Sequence, residues 1–171
     1  MILRLSEKLR TKLKTGAKSA LPMDENPLAD WSANVFVADR TQYILLSNTA
    51  SRYPTVFYAK GFTNDKHFVT NALNQLRELM EADGLLNVYT EHILPNIGTA
   101  RFAKAFSQSV TGTMNELIMA ATHFLVNHDM SPHDVSHDLN NLLFSAIAVD
   151  SAKKCGKPRD VFQAMIVDQS N

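Results

Sequence analysis

A single cysteine, Cys155, stands in a chain of 171 residues, so no internal disulfide framework exists and packing alone must hold the fold. One thiol also fits a reducing compartment, and a cytoplasmic protein is the expectation. Long apolar runs are missing. No uninterrupted hydrophobic segment approaches the ~20 residues of a membrane-spanning helix, so no membrane partner is expected. The opening Met1-Ile-Leu-Arg-Leu-Ser-Glu-Lys8 is interrupted by charge and lacks the apolar core of a signal peptide. Charge of one sign is lacking too. Seventeen basic residues face seventeen acidic ones, for a net charge of +0, so no global field favours nucleic acid or an acidic substrate. A phosphate-binding glycine loop, a dinucleotide fingerprint, a GxSxG elbow, a CxxC pair, an HExxH pair and internal repeats are all absent. No cofactor and no metal is assigned from the sequence.

What is present is enough for one domain over residues 1–171. A 45% hydrophobic chain of this length buries roughly two-thirds of the surface its unfolded form exposes. Met1 to Leu5 is a short apolar run suited to a strand. Ser6 then caps a helix with Leu9 and Leu13 four residues apart. Arg4, Lys8, Arg10, Lys12, Lys14 and Lys18 make this the one basic stretch. It reads as a solvated helix face, with phosphate or an acidic partner as the alternative.

Residues 15–30, with Gly16, Pro22 and Pro27, read as a connecting loop. The segments 34–39, 42–47 and 54–60 are rich in β-branched and aromatic residues, and Asp39-Arg-Thr41 is short enough for a hairpin turn. An antiparallel meander follows. Thr63 or Asn64 caps a helix over 64–83 whose apolar face is Phe68, Val69, Ala72, Leu73, Leu76, Leu79 and Met80, stopped by Gly84. Residues 85–94 lean towards helix, and 99–106 towards an extended segment with Phe102 and Phe106 on one side.

The hydroxyl-rich stretch Ser107 to Glu116 is the candidate site. Thr113 and Glu116 have capping-box spacing, which places a helix over 113–127 with Met114, Leu117, Ile118, Ala121, Phe124 and Leu125 on its apolar face. If the chain is extended through Thr111, Ser107, Ser109 and Thr111 share one face beside the helix start, where free N–H groups favour a phosphate or carboxylate. The candidate ligand-binding residues are therefore Ser109, Thr111, Thr113, Asn115 and Arg101, with Lys104 adding charge. The plainer reading is that these hydroxyls only cap the helix. No catalytic residue is assigned.

His123, His128, His133 and His137 lie close in sequence. His133 and His137 have helical metal-ligand spacing, but Ser131-Pro-His-Asp134 reads first as a helix start. Val135, Leu139, Leu142 and Leu143 then form its buried side and leave both imidazoles in solvent. Phe144 to Val149 reads as a strand or buried turn. Pro158 starts a final helix with Val161, Phe162, Met165 and Ile166 inward. Cys155 follows Lys153 and Lys154, no base adjoins it in sequence, and it reads as a structural cysteine.

The motifs Met1-Ile-Leu-Arg-Leu-Ser6, Asp30-Trp-Ser-Ala-Asn34, Asp39-Arg-Thr-Gln-Tyr-Ile-Leu-Leu-Ser-Asn48 and Ser109-Val-Thr-Gly-Thr-Met-Asn115 resemble those of a family of uncharacterised bacterial proteins carrying a domain of unknown function. The resemblance covers almost the whole chain. In that family the last motif reads Asn-Arg-Ser-Val-x-Gly-Ser-Met-Asn. Here Ser109, Val110, Gly112, Met114 and Asn115 match, Thr113 replaces a serine, and Ser107-Gln108 stands in place of Asn-Arg. The lost arginine weakens an anion-binding role. The resemblance implies a bacterial source and carries no activity.

The expected fold is α+β: an antiparallel sheet of four or five strands, drawn mainly from 32–60 and 99–106, covered by helices at 64–83 and 113–127 with shorter terminal helices. The first functional reading is a non-catalytic binding or interaction module, either a homo-oligomer or one with a protein partner. The second is a small enzyme or ligand-binding protein using 107–115, which requires Ser109 or Thr111 within hydrogen-bond reach of an imidazole. The third is nucleic-acid binding through the basic N-terminal helix.

Overall fold

The computed structural model describes residues 1–16, 19–62, 64–145, 147 and 155–169. Its strands are β1 (Ile2–Leu5), β2 (Asp30–Ala38), β3 (Thr41–Asn48), β4 (Pro54–Tyr58) and β5 (Arg101–Lys104), and they form one sheet in the order β4-β3-β2-β1-β5. The helices are α1 (Glu7–Leu13), α2 (Asp65–Ala82), the single turn α3 (Leu86–Val88), α4 (Gln108–Asn127), α5 (Pro132–Leu139) and α6 (Pro158–Gln169). Between α3 and β5 the chain runs through irregular helical turns, Tyr89–Ile93 and Leu94–Thr99.

The α+β expectation holds, with one correction: the sheet is mixed. The β2-β3-β4 meander is antiparallel, and its first hairpin turns at Asp39 and Arg40, both at positive φ (42° and 62°), as a two-residue turn matching the strand twist requires. β1, however, inserts between β2 and β5 and runs parallel to both, Leu3 facing Trp31 on one side and Phe102 on the other. The cause is visible in its composition. All four residues of β1 are buried, as a strand covered on both faces requires, and such strands read as apolar runs without alternation.

Arg4 is the exception in that run, and its burial is compensated. At 1% exposure its Nε and Nη2 donate to the two carboxylate oxygens of Asp30 (2.7 and 2.8 Å), itself fully buried. Nη1 and Nη2 also donate to the carbonyls of Leu21 and Pro22, which ties the 19–29 loop to the sheet. The ring of Phe106 lies 4.6 Å from the guanidinium carbon. Phe106 therefore serves Arg4 on the α4 side of the sheet, while Phe102 packs on the other side, which corrects the shared side expected for them.

Helices cover the two faces separately. α1, α2 and α6 lay Leu9, Leu13, Phe68, Leu76, Met80 and Phe162 against Leu3, Trp31, Ile44 and Phe57. α4 and α5 lay Val110, Met114, Leu117, Ala121, Val135 and Leu139 against Phe36, Tyr43, Leu45 and Val56. α2 is capped by Asn64 and ends before Gly84, whose φ of +75° suits glycine; Thr63 lies outside the described residues. Below the sheet, Tyr53 stacks on Phe162 (4.6 Å) and donates to Asp83, which Arg159 meets at 3.4 Å. Burial first, then the hydrogen bond to Asp83, pushes the Tyr53 pKa far up.

Other parts of the chain bond to both outer strands of the sheet. On β4 the Ser136 hydroxyl of α5 accepts from Val56 N (2.8 Å), and Asn140 Nδ2 donates to Pro54 O (3.1 Å). On β5, Lys104 N donates to Ser19 O (3.0 Å). The buried side of α5 is thus Val135, Ser136, Leu139 and Asn140. Leu142 is half-buried and Leu143 is 65% exposed, which corrects the inward side expected for them. Phe144 makes an isolated antiparallel bridge with Gly156. Residues 146, 148 and 149 of the apolar stretch 144–149, together with Lys18, Lys153 and Lys154, lie outside the described residues.

Candidate functional site: a groove between two helices

The structure moves the start of α4. Its N-cap is Ser107, whose hydroxyl accepts from Val110 N (3.2 Å), six residues before the Thr113 cap expected from the capping-box spacing. Ser109, Thr111 and Thr113 are therefore helical, not extended, and do not share a period-two face. Thr111 Oγ1 donates to Ser107 O and Thr113 Oγ1 to Ser109 O, the back-bonding of hydroxyls within a helix. Thr113 is buried, whereas Ser109, Thr111 and Asn115 are exposed. Ser107 capped the helix better because its backbone is extended (φ −155°, ψ 167°) while Thr113 lies within a helix anchored at Met114 and Leu117.

The five candidates separate. Arg101 sits at the start of β5, in a cavity shared with Met1, Asp24 and Asn96, at the opposite end of the strand from α4. Asn115 faces a groove, Thr111 lines a smaller cavity beside it, and Thr113 faces the core. His123 is remote from Thr111: the two are twelve residues apart on α4, about 18 Å at the helical rise. No imidazole bonds Ser109 or Thr111 among the described residues. Instead His123 Nε2 lies 3.2 Å from His128 Nε2, with Asn127 Nδ2 2.9 Å from His123 Nδ1, all exposed at the far end of α4. His133 and His137 are exposed on α5, and among the described residues no three His, Cys, Asp or Glu side chains gather into a metal-holding group. The basic stretch also shrinks: Arg4 is buried on Asp30, and Arg10 meets Glu7 at 2.7 Å.

The groove arises from a mismatch in strand length. β2 has nine residues and β1 has four, so pairing between them ends at Leu5 with Ala33, and the last rung is Ser6 N to Ala33 O (2.9 Å). There β1 passes into α1 on one face of the sheet, while β5, on the other side of β1, passes into α4 on the opposite face. Beyond Ala33, β2 runs on between the two helices with its β1 side uncovered. The resulting cavity, of about 460 Å³, has Lys8 and Lys12 of α1 on one wall and Asn115 and Ile118 of α4 on the other. Asn34, Val35, Phe36 and Val37 floor it, and Gln42 of β3 closes one end by accepting from Lys12 Nζ (2.6 Å). A smaller cavity of about 150 Å³ continues from Asn34 past Arg4, Ser6 and Ser32 to Thr111 and Met114.

Asn34 stands where the two cavities meet. Its Oδ1 is withdrawn from solvent and has no hydrogen-bond partner. Arg52, at the other end of β2, is the second buried guanidinium: its Nη1 donates to the carbonyls of Thr49 and Ala50, its Nε has no partner, and burial lowers its pKa. Sequence reasoning missed the groove residues Lys8, Lys12 and Asn34 as a set, since the set exists only once β1 is known to be short and central.

A mixed five-stranded sheet with helices on both faces and a crevice at the carboxyl ends of two parallel strands defines an α+β architecture, not an activity. The chain belongs to the family defined by a domain of unknown function, DUF6933, whose model matches residues 2–161. No curated protein and no solved structure matches it. Among the described residues no helix is long and apolar enough to cross a membrane.

Proposed function

We propose that this chain is a non-catalytic binding module that seats its ligand or partner in the groove between α1 and α4, with Thr111 and Asn115 the members of the hydroxyl-rich stretch that take part. The observation that carries the reading is the Asn34 amide. A buried amide oxygen without a donor costs on the order of 1–3 kcal/mol, and a donor on an incoming molecule removes that cost. Its surroundings support the same reading. The crevice lies where parallel strands send their connections to opposite faces, the usual position for ligands in open sheets. Apolar floor residues with a few polar groups around them are the usual makeup of such sites.

A thermal-shift screen of small carboxylates, nucleotides and short peptides tests it, run in parallel on wild type, Asn34→Leu and Asn115→Trp. Asn34→Leu removes the unpartnered oxygen at similar volume, and Asn115→Trp fills the groove from an exposed helix position. A compound that raises the wild-type Tm and leaves both variants unmoved is the expected result. Equal shifts in all three proteins, or no shift by any compound, would overturn the assignment.

A further inference from the structure

We infer that the groove receives an extended acidic segment of a partner protein as an added β-strand on the free length of β2; this rests on the binding-module reading above. The first ground is backbone direction. Ala33 O points towards β1, where it accepts from Ser6 N, and backbone polar groups alternate along a strand, so Val35 and Val37 point the same way. The register agrees: their β3 neighbours Ile44 and Gln42 point away, Gln42 O accepting from Ala59 N of the β4 side. Two N–H and two C=O groups thus face the cavity, and none has a partner among the described residues.

The second ground is room. β1 stops because the chain turns into α1 at Ser6, and the cavity of about 460 Å³ lies along the path β1 would have taken. Strand addition places main-chain hydrogen bonds on such an edge and side chains alternately to either face. The third ground is contrast with β4, where α5 takes the outward Val56 N–H and Pro54 carbonyl, whereas the groups of Val35 and Val37 are left free.

Charge selects the occupant. On the α1 side an added strand meets Lys8 and Lys12, neither paired with a carboxylate among the described residues; on the α4 side it meets Ile118. The complementary segment alternates acidic and apolar residues, acids towards α1 and apolar side chains towards α4.

The probe is a labelled ten-residue peptide alternating glutamate with valine, titrated by fluorescence anisotropy. Controls are the same peptide with alternate backbone nitrogens methylated and the same pattern with lysine for glutamate. Expected results are at least tenfold weaker binding for each control and for Lys8→Glu/Lys12→Glu, and at least tenfold slower amide exchange at Val35 and Val37 on saturation. Binding that survives N-methylation, or that leaves those two amides unprotected, overturns the strand. Failure of the peptide, while compounds still shift wild type and not Asn34→Leu, overturns the strand and spares the groove. Failure of peptide and compounds alike overturns both. Sedimentation showing a dimer that protects Val35 and Val37 without peptide assigns the edge to a second copy and overturns the partner assignment.

Discussion

β4 and the far half of β2 present the same chemical problem, a row of backbone groups with no neighbouring strand, and the molecule treats them oppositely. On β4 the Ser136 hydroxyl takes the Val56 N–H and Asn140 takes the Pro54 carbonyl, so a helix side chain substitutes for a missing strand. On β2 the groups of Val35 and Val37 open into a lysine-walled groove. The difference shows that closing an edge costs the fold only two small polar residues on one helix. An edge left open within reach of α1 and α4 is therefore a distinct local solution, and it can be tested as one.

The largest expected contrast comes from proline. Val56→Pro removes a donated N–H and pushes a ring against α5, and should lower the urea-unfolding free energy by about 3 kcal/mol or more. Val37→Pro removes an N–H that has no partner, and should cost less than about 1 kcal/mol. Equal losses at the two positions would erase the distinction between the edges. Ser136→Ala, which leaves the Val56 N–H buried and unsatisfied, should lose about 1–3 kcal/mol and increase aggregation on heating, read by light scattering.

The closed side of the sheet also has a pH signature. The Tyr53 phenol has its folded pKa raised, by burial and by Asp83, above the ordinary value of about 10. The folded state then holds the proton more tightly than the unfolded chain does. Its contribution is fully present below pH ~10 and lost above it, by about 1.4 kcal/mol per pH unit. Urea midpoints measured from pH 8 to 11 should fall for wild type and fall less for Tyr53→Phe; parallel curves would remove Tyr53 from the account. The smallest effect is expected at the open edge, where Lys8→Glu/Lys12→Glu should change stability by no more than about 0.5 kcal/mol. A large loss there would make the two lysines part of the fold and not of a binding surface.

Much of this architecture was readable from local chemistry. Ser6, Asn64, Ser131 and Pro158 mark helix starts that the structure keeps, because a cap satisfies backbone groups within a few residues and needs no tertiary information. The β2-β3-β4 meander was readable for the same reason, since its connections are short. α4 was misread at its start because two serine or threonine caps compete there, and the burial of Met114 and Val110, which decides between them, is a tertiary fact. Most of the site was not readable. Lys8, Asn34 and Asn115 come together through the insertion of β1 between β2 and β5, and nothing in their own neighbourhoods signals it. Thr111 was singled out for hydroxyl spacing and Asn115 as part of the same stretch, and they face the groove and its side cavity for a different reason, their place on an exposed helix face.

The central position of β1 also sets an order of events. Ile2 pairs with Asp30 on one side and with Arg101 on the other, 99 positions later in the chain. At about 5–20 residues added per second, that second neighbour emerges several seconds after β1 itself. During that interval β1 has only one flank enclosed, while the β2-β3-β4 hairpins beside it are complete. This apolar inner strand of the finished sheet is thus among the last to be walled in. Long-range parallel pairing, more than hairpin formation, sets the pace at which this fold closes.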